Sequence, residues 1–390
     1  MAADRPFRIA LLIERMDPAR GGRERSTAQI AAQLARRGHK VSILCQQGLP
    51  DAAEGATVVA LGRRGSGRAG VLSCFVEDVQ RHVGGGGYDI VHATLPVPGA
   101  NVYQPRGGTV PGQRDASRRR RPLWGGLMAD LLAPFNAHRN RMAQLENQVL
   151  ADPGVRCLAV SQLVAAEFDR HYDRTRNVRV IYNGVDVPKV DDAERARWRR
   201  ARREELGIAP EAVVFLTAAE NFALKGVVET VKAFSLLLRH RPRANARLVV
   251  AGGGFAEPIL ERAGVWSVAD KVDVIGHTDE IFHWYAAADV IVLLSWYDPC
   301  SRVVLEAVRW GIPSITTAWN GASEVLGDGA GIVVASPSRT HQAAAAMEQL
   351  MAPAARAACA QACRAIADSL SVDRHVDELL AVYADIVAGR

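Results

Sequence analysis

Asp298 and Glu306 are separated by seven residues, and each sits where a carboxylate needs a reason. Asp298 falls with Pro299 in a polar turn behind the apolar run Asp289–Ser295. Glu306 interrupts the apolar series Val303, Val304, Leu305, Ala307 and Val308. On a buried helix face an ionised group is costly to desolvate without a partner. A structural ion pair or cap would meet that need, and so would a ligand. Lys225 poses the matching question for a cation. It stands where a helix begins, and the helix dipole disfavours a lysine there by about 0.3–1 kcal/mol. A pyrophosphate bound at that point would reverse the sign, whereas an exposed surface lysine is the bland alternative.

The elements that must hold these groups can be read from the apolar runs. Asp289–Ser295 reads as a strand, and a helix follows from near Ser301 to Gly311. Ser314–Thr317 is the next strand. Strand, loop, helix, strand is the unit of parallel sheets, whose ligands sit at the carboxyl ends of the strands. The same alternation fills the chain. Strands are expected at Phe7–Ile13, Lys40–Cys45, Thr57–Leu61, Asp89–Thr94, Arg156–Val160 and Arg179–Tyr182. After Asn183 they resume at Val213–Ala218, Arg247–Ala251, Lys271–Ile275 and Gly331–Ala335. Helices are expected at Ser26–Arg37, Val71–Val83, Ala137–Leu150, Gln162–Tyr172 (capped by Ser161), Asp279–Ala288 (capped by Thr278) and Val372–Val387. Asn101–Gly112 reads as strand-like and then rich in Gly and Pro.

At 390 residues the chain is long enough for two domains. Its hydrophobic fraction of 48% supports large cores. No apolar run approaches the roughly 20 residues that span a bilayer, and residues 1–13 read as a first strand rather than a signal peptide. Six cysteines without a C-x-x-C pair point to reduced, mostly buried thiols and a cytoplasmic setting. The formal charge of +6 suggests an anionic partner. Nucleic acid is excluded first, because no zinc-finger spacing or aromatic RNA-binding signature is present.

Four motifs, in order, then narrow the reading. They are Gly21-Gly22-Arg23-Glu24 before a helix, Asn183-Gly184-Val185-Asp186 at mid-chain, Lys225-Gly226 at a helix entry, and acid-x(7)-Glu306 with its Gly311-Ile312-Pro313 exit. The chain resembles family 4 retaining glycosyltransferases over nearly its whole length. The insertion after strand five looks most like the lipopolysaccharide core glucosyltransferase I type. The resemblance implies a GT-B fold, that is, an α/β chain of two Rossmann-like, doubly wound parallel-sheet domains facing a cleft. It implies an acceptor-binding domain over 1–182, rejoined by a C-terminal helix over 372–390, and a donor-binding domain over 183–371. Lys225 resembles the family's diphosphate clamp, although the usual arginine beside it is replaced by Ala223 and Leu224. Arg15, Arg20, Arg23 and Arg25 are possible substitutes. Asp298 stands where the family carries Glu, with a shorter reach and the same charge.

By the same resemblance Lys225, Asp298 and Glu306 serve the reaction. Glu306 holds the ribose hydroxyls, and Asp298 with the backbone near Cys300 and Ser301 holds the sugar. Donor contacts are implied for Gly21, Gly22, Glu220, Asn221, Gly253, His277, Thr278, Cys300, Ser301, Arg302 and Val303. Acceptor-side candidates are His92, Gln104, Arg106 and Thr109; a lone strand histidine such as His92 is more often structural. The expected reaction moves a hexose, by default from UDP-glucose, to a lipid-linked or lipopolysaccharide-core saccharide. No D-x-D motif is present, so neither a metal nor another cofactor is expected. A nucleotide-sugar binder with little or no activity, and a nucleotide-sugar 2-epimerase, are the competing readings. Finally, the basic run Arg114–Arg121 abuts an apolar segment containing Trp124, Leu127, Leu131 and Phe135. Monotopic proteins grip anionic bilayers with such pairings, so 114–136 is expected to rest on the inner face of the cytoplasmic membrane.

Overall fold

A computed structural model describes residues 5–121, 136–327 and 329–389. The chain forms two compact units, Met1–Gly184 with Ser371–Arg390, and Val185–Leu370. The division passes through the Asn183–Asp186 motif on the outward pass and through Leu370–Ser371 on the return.

The first unit is built on a parallel sheet. Its strands are β1 (Arg8–Leu12), β3 (Lys40–Cys45), β5 (Thr57–Ala60), β6 (Ile90–Ala93), β7 (Val102–Tyr103), β8 (Arg156–Ala159) and β9 (Val178–Val180). They lie in the order β5-β3-β1-β6-β7-β8-β9, and the short β2 (Arg15–Met16) and β4 (Gln47–Gly48) pair beside them. β1 lies between β3 and β6, so the strand order reverses there. The second unit repeats the plan with β10 (Val213–Ala218), β11 (Ala246–Ala251), β12 (Val272–Gly276), β13 (Val290–Leu293), β14 (Ser314–Thr317) and β15 (Gly331–Val334). The order is β12-β11-β10-β13-β14-β15, with the reversal between β10 and β13. Ligands of open parallel sheets bind outside the carboxyl ends at such reversals.

The central strands are largely apolar because both sheet faces are covered; all six residues of β10 are buried. Two cores flank the second sheet. One gathers Phe215, Phe234, Leu248 and Val292, and the other Leu216, Trp284, Ile291 and Trp310. In the first unit the helix Val372–Ala388 completes the core with Val376, Leu379 and Tyr383 packed among Ile9, Leu11 and Ile43.

Helix boundaries differ from expectation at three functional points. The first helix begins at Gly22 rather than Ser26, so Gly21 is its N-cap and Gly22 lies inside the first turn. The helix expected from Asp279 begins at Ile281. The Thr278 hydroxyl accepts the Glu280 amide at 3.1 Å, which closes a local turn and delays the helix. The helix Val110–Arg119 takes in the end of the Gly/Pro-rich stretch Asn101–Gly112 and most of the basic run that follows it. Residues 122–135, including Trp124, Leu127, Leu131 and Phe135, lie outside the described residues.

The C-terminal helix is held to the first sheet by buried neutral imidazoles. His92 Nδ1 and the Tyr383 hydroxyl are 2.6 Å apart, and His375 Nδ1 donates to the Tyr182 carbonyl at 2.7 Å. Burial, then the neighbouring Arg106, pushes the His92 pKa down to about 3. The same two causes hold His375 well below the usual histidine value. Both lie below the unfolded value of about 6.5. The unfolded chain therefore binds more protons, and stability falls as pH drops from about 6.5 towards 3. His92 should contribute a loss on the order of 1 kcal/mol per pH unit in that window, and His375 a loss in the same direction. Thermal melts between pH 7.5 and 4.5 should show a falling midpoint, and the double variant His92→Gln/His375→Gln should flatten the slope. An unchanged slope in the variant would overturn this account.

Candidate functional site

The reversal between β10 and β13 carries the groups singled out by chemistry. The loop after β10 holds Glu220 to Gly226, and the loop after β13 holds Leu294 to Ser301. They run side by side, with the Trp296 amide donating to the Leu224 carbonyl at 2.9 Å. Gly226 permits this contact. Its φ of +66° is left-handed, and a Cβ there would lie 1.9 Å from the Leu294 carbonyl oxygen, so only glycine fits. Gly252, at φ +132°, likewise presses on the Ala219 carbonyl, where a Cβ would lie at 1.7 Å. These two glycines bring the loops behind β10, β11 and β13 into one cluster.

Lys225 and Asp298 meet across the two loops as an ion pair. Asp298 is largely buried, whereas the lysine side chain keeps about a fifth of its surface exposed at 22%. An ammonium has three donors, so two remain for another anion. Asp298 is fixed by its backbone, its amide donating to the Trp319 carbonyl at 2.9 Å and its carbonyl accepting Gly321 at 2.8 Å.

Glu306 lies on the helix Arg302–Arg309 and is 6% exposed. Its Oε1 accepts from Arg302 Nη2 and its Oε2 from the Tyr285 hydroxyl, both at 3.2 Å. The carboxylate thus has protein partners of its own, which answers the desolvation problem raised by the sequence. A carboxylate offers about four acceptor positions, so two remain for ligand hydroxyls. The N-cap residue Ser301 makes no side-chain cap hydrogen bond to this helix, and its first turn carries no acid. Such an end favours negative charge.

A residue that sequence reasoning passed over organises the whole cluster. Asn320 is fully buried behind β14. Its Oδ1 accepts the Ser301 amide at 3.2 Å and the Ala322 amide at 3.0 Å, and its Nδ2 donates to Thr316 Oγ1 at 2.9 Å. The Ser301 amide, expected to hold a sugar, is therefore engaged within the protein. The Val303 side chain packs on the adjoining core. Cys300 is buried and forms no disulfide among the described residues.

Among the other donor-side candidates, Glu220, Gly253 and His277 come together. His277 Nδ1 lies 3.3 Å from Glu220 Oε1, and a Cβ on Gly253 would lie 2.6 Å from Glu220 Oε2. Asn221 Oδ1 accepts the Leu224 amide at 3.0 Å and so shapes the Lys225 loop. Gly21 and Gly22 belong to the first unit.

The acceptor-side candidates are all buried. Thr109 caps the helix Val110–Arg119. Its hydroxyl accepts the Gly112 amide at 3.1 Å and donates to Glu167 Oε2 at 2.8 Å. Arg106 donates to Gln104 Oε1 at 3.2 Å and to Ser26 Oγ at 2.7 Å. His92 faces Tyr383, as described. Glu146, absent from the sequence reading, anchors the same region by accepting from Tyr103, Tyr172 and the Val110 amide. Burial holds its carboxyl pKa above the usual range. An open pocket of this unit is lined by other residues, among them Arg15, Arg23, Arg63 and Arg68.

Known proteins resemble the chain in sequence and in fold. The family model described as Glycosyltransferase Family 4 matches residues 20–189, and that for glycosyl transferases group 1 matches residues 210–353. The chain is thus similar to glycosyltransferase family 4 through its first half and to glycosyl transferases group 1 through its second. The D-inositol 3-phosphate glycosyltransferase of Actinosynnema mirum is 28% identical over 409 residues, covering 93% of this chain and 92% of that protein. Its counterpart from Streptomyces avermitilis is 28% identical over 218 residues, 48% of this chain and 46% of that protein. The match thus spans about half of some relatives. The fold is GT-B. WaaG, a glycosyltransferase involved in lipopolysaccharide biosynthesis, superposes with a TM-score of 0.78 at 21% identity, covering 98% of this chain and 100% of WaaG. Anabaena HepE, solved with UDP and glucose, gives 0.73 at 18% identity, with coverage of 97% and 100%. Among the described residues of this chain no helix is long and apolar enough to cross a membrane.

Proposed function

We propose that this glycosyltransferase moves a hexose from a nucleotide-sugar, with UDP-glucose the first donor to test, and that it retains anomeric configuration without a metal. One observation carries the donor assignment. Lys225 and Asp298 pair behind β10 and β13, at the strand-order reversal of the second sheet, and the helix that follows Asp298 carries Glu306 and has no side-chain cap from Ser301. Free ammonium donors and that helix end suit a diphosphate, and the two open acceptor positions of Glu306 suit the paired hydroxyls of a ribose. Departure of the nucleoside diphosphate leaves oxocarbenium-like charge at the anomeric carbon, which the Asp298 carboxylate would offset. Attack of the acceptor hydroxyl from the leaving-group face retains configuration and requires no strong base from the protein. HepE, solved with UDP and glucose, lends the donor indirect support.

For the acceptor, a lipid-linked or lipopolysaccharide-core saccharide is one reading, in line with the fold of WaaG. It goes with a proposed location on the inner face of the cytoplasmic membrane, reached through 114–136. A phosphorylated cyclitol is the second, favoured by the D-inositol 3-phosphate enzymes among the relatives. Calorimetric titration with UDP, GDP and ADP, followed by product analysis with labelled donor, tests the proposal. UDP binding and a retained glycosidic product are expected. Binding without turnover would leave a nucleotide-sugar binder, and a donor isomerised at C2 would make it an epimerase.

A further inference from the structure

The first unit carries a pocket of about 340 Å³ at the carboxyl ends of β1, β3 and β6. This volume suits a small ligand. Ile13, Val71 and Leu72 give it an apolar side, while four arginines line the rest: Arg15, Arg23, Arg63 and Arg68. Among the described residues none of these four guanidinium groups has an ion pair or a hydrogen-bond partner. The contrast with near neighbours is direct. Arg64, adjacent to Arg63, pairs with Asp78, and Arg20 pairs with Asp17. Two glutamates, Glu14 and Glu24, and the amides Gln46 and Gln47 share the pocket. The arginines outnumber the acids, so the pocket is cationic while still offering carboxylate and amide groups to hydroxyls.

Unpaired guanidiniums crowded at one opening repel each other, and an anion relieves that repulsion. Their planar forks match phosphate oxygens two at a time. A phosphate monoester carries about −1.5 to −2 charges at neutral pH, which balances two arginines in excess. We infer that this pocket binds a phosphorylated polyol as the acceptor, with the phosphate held by Arg63 and Arg68 and the hydroxyls met by Glu14, Glu24 and Gln46. The inference rests on the transferase reading and narrows its acceptor to a phosphate-bearing one.

The test uses the full chain with UDP at saturation to fill the donor-binding unit. Calorimetry then compares D-inositol 3-phosphate, unphosphorylated inositol and inorganic phosphate on the wild type and on Arg63→Gln/Arg68→Gln. Arg63 and Arg68 are exposed, so the double variant should fold. The phosphorylated cyclitol should bind at least about tenfold more tightly than inositol, more weakly as salt rises, and about tenfold more weakly to the variant. Inorganic phosphate should bind the wild type and lose that binding in the variant. Identical phosphate binding by both proteins, or none by a wild type that still binds UDP, would overturn the inference alone. Failure to bind UDP as well would overturn the transferase reading beneath it.

Discussion

Lys225→Ala should lower turnover by about a hundredfold or more, as the loss of a positioned charge at a departing oxyanion typically does. The lysine is the one cation that the loop behind β10 presents, because Ala223 and Leu224 occupy the positions before it. Without a donor its charge is spent on Asp298. On the proposed reading, negative charge would grow on a departing diphosphate beside this ammonium, and its two unused hydrogens would strengthen their bonds to it then. The effect should therefore fall mainly on kcat, with a smaller rise in KM. The fold should tolerate the change, since the lysine is part-exposed and Gly226, not Lys225, sets the loop. Asp298 would lose its partner, at a cost of about 1–3 kcal/mol. Lys225→Arg should keep part of the rate by keeping the charge. Initial rates of donor hydrolysis and transfer, with a thermal melt on the same sample, check this. A variant with near-normal rates would remove the lysine from the mechanism.

Much of the architecture was legible because both sheets are buried on two faces and their strands are written as apolar runs. β3, β10 and β14 begin and end where the apolar runs do. The helix Asp192–Glu205 had no such signal. Its sequence is almost wholly charged, and Arg203 alone is buried. It is held by Arg199 and Arg203, each 2.7 Å from Asp289, a contact between residues far apart in sequence. The helix Glu257–Val265 was hidden behind the glycine run 252–254. In the site, Asp298, Glu306 and Lys225 were legible as charges in places that penalise charge. Asn320 was not, because a buried asparagine looks like any turn residue until the loops it joins are in place. The burial of Thr109 likewise follows from Glu167, which is 58 positions away. The pocket arginines Arg63 and Arg68 lie in the run GRRGSGR, which reads as an ordinary solvated loop.

Glu306 is where stability and ligand binding must be separated. Glu306→Ala should lower the melting temperature and the rate together, because it strips the Tyr285 hydroxyl and Arg302 of an acceptor in a nearly closed site. A loss of about 1–3 kcal/mol is expected from the exposed donors alone. Alanine therefore cannot show whether the carboxylate touches a nucleoside. Glu306→Gln can, since it keeps the shape and one oxygen acceptor while removing charge and half the acceptor capacity. Its melting temperature should stay nearer the wild type. If the two open acceptor positions serve a ribose, wild-type protein should bind UDP at least about tenfold more tightly than 2′-deoxy-UDP or 3′-deoxy-UDP. In Glu306→Gln that preference should shrink to nearly nothing, because the hydroxyls lose their charged acceptor. The interaction appears as a difference of differences, so a general loss of stability or of affinity cancels from it. Equal discrimination by both proteins would assign Glu306 to Arg302 and Tyr285 alone. The ribose would then have to be held by another group in the same cluster, with Glu220 beside Gly253 and His277 the next carboxylate to test.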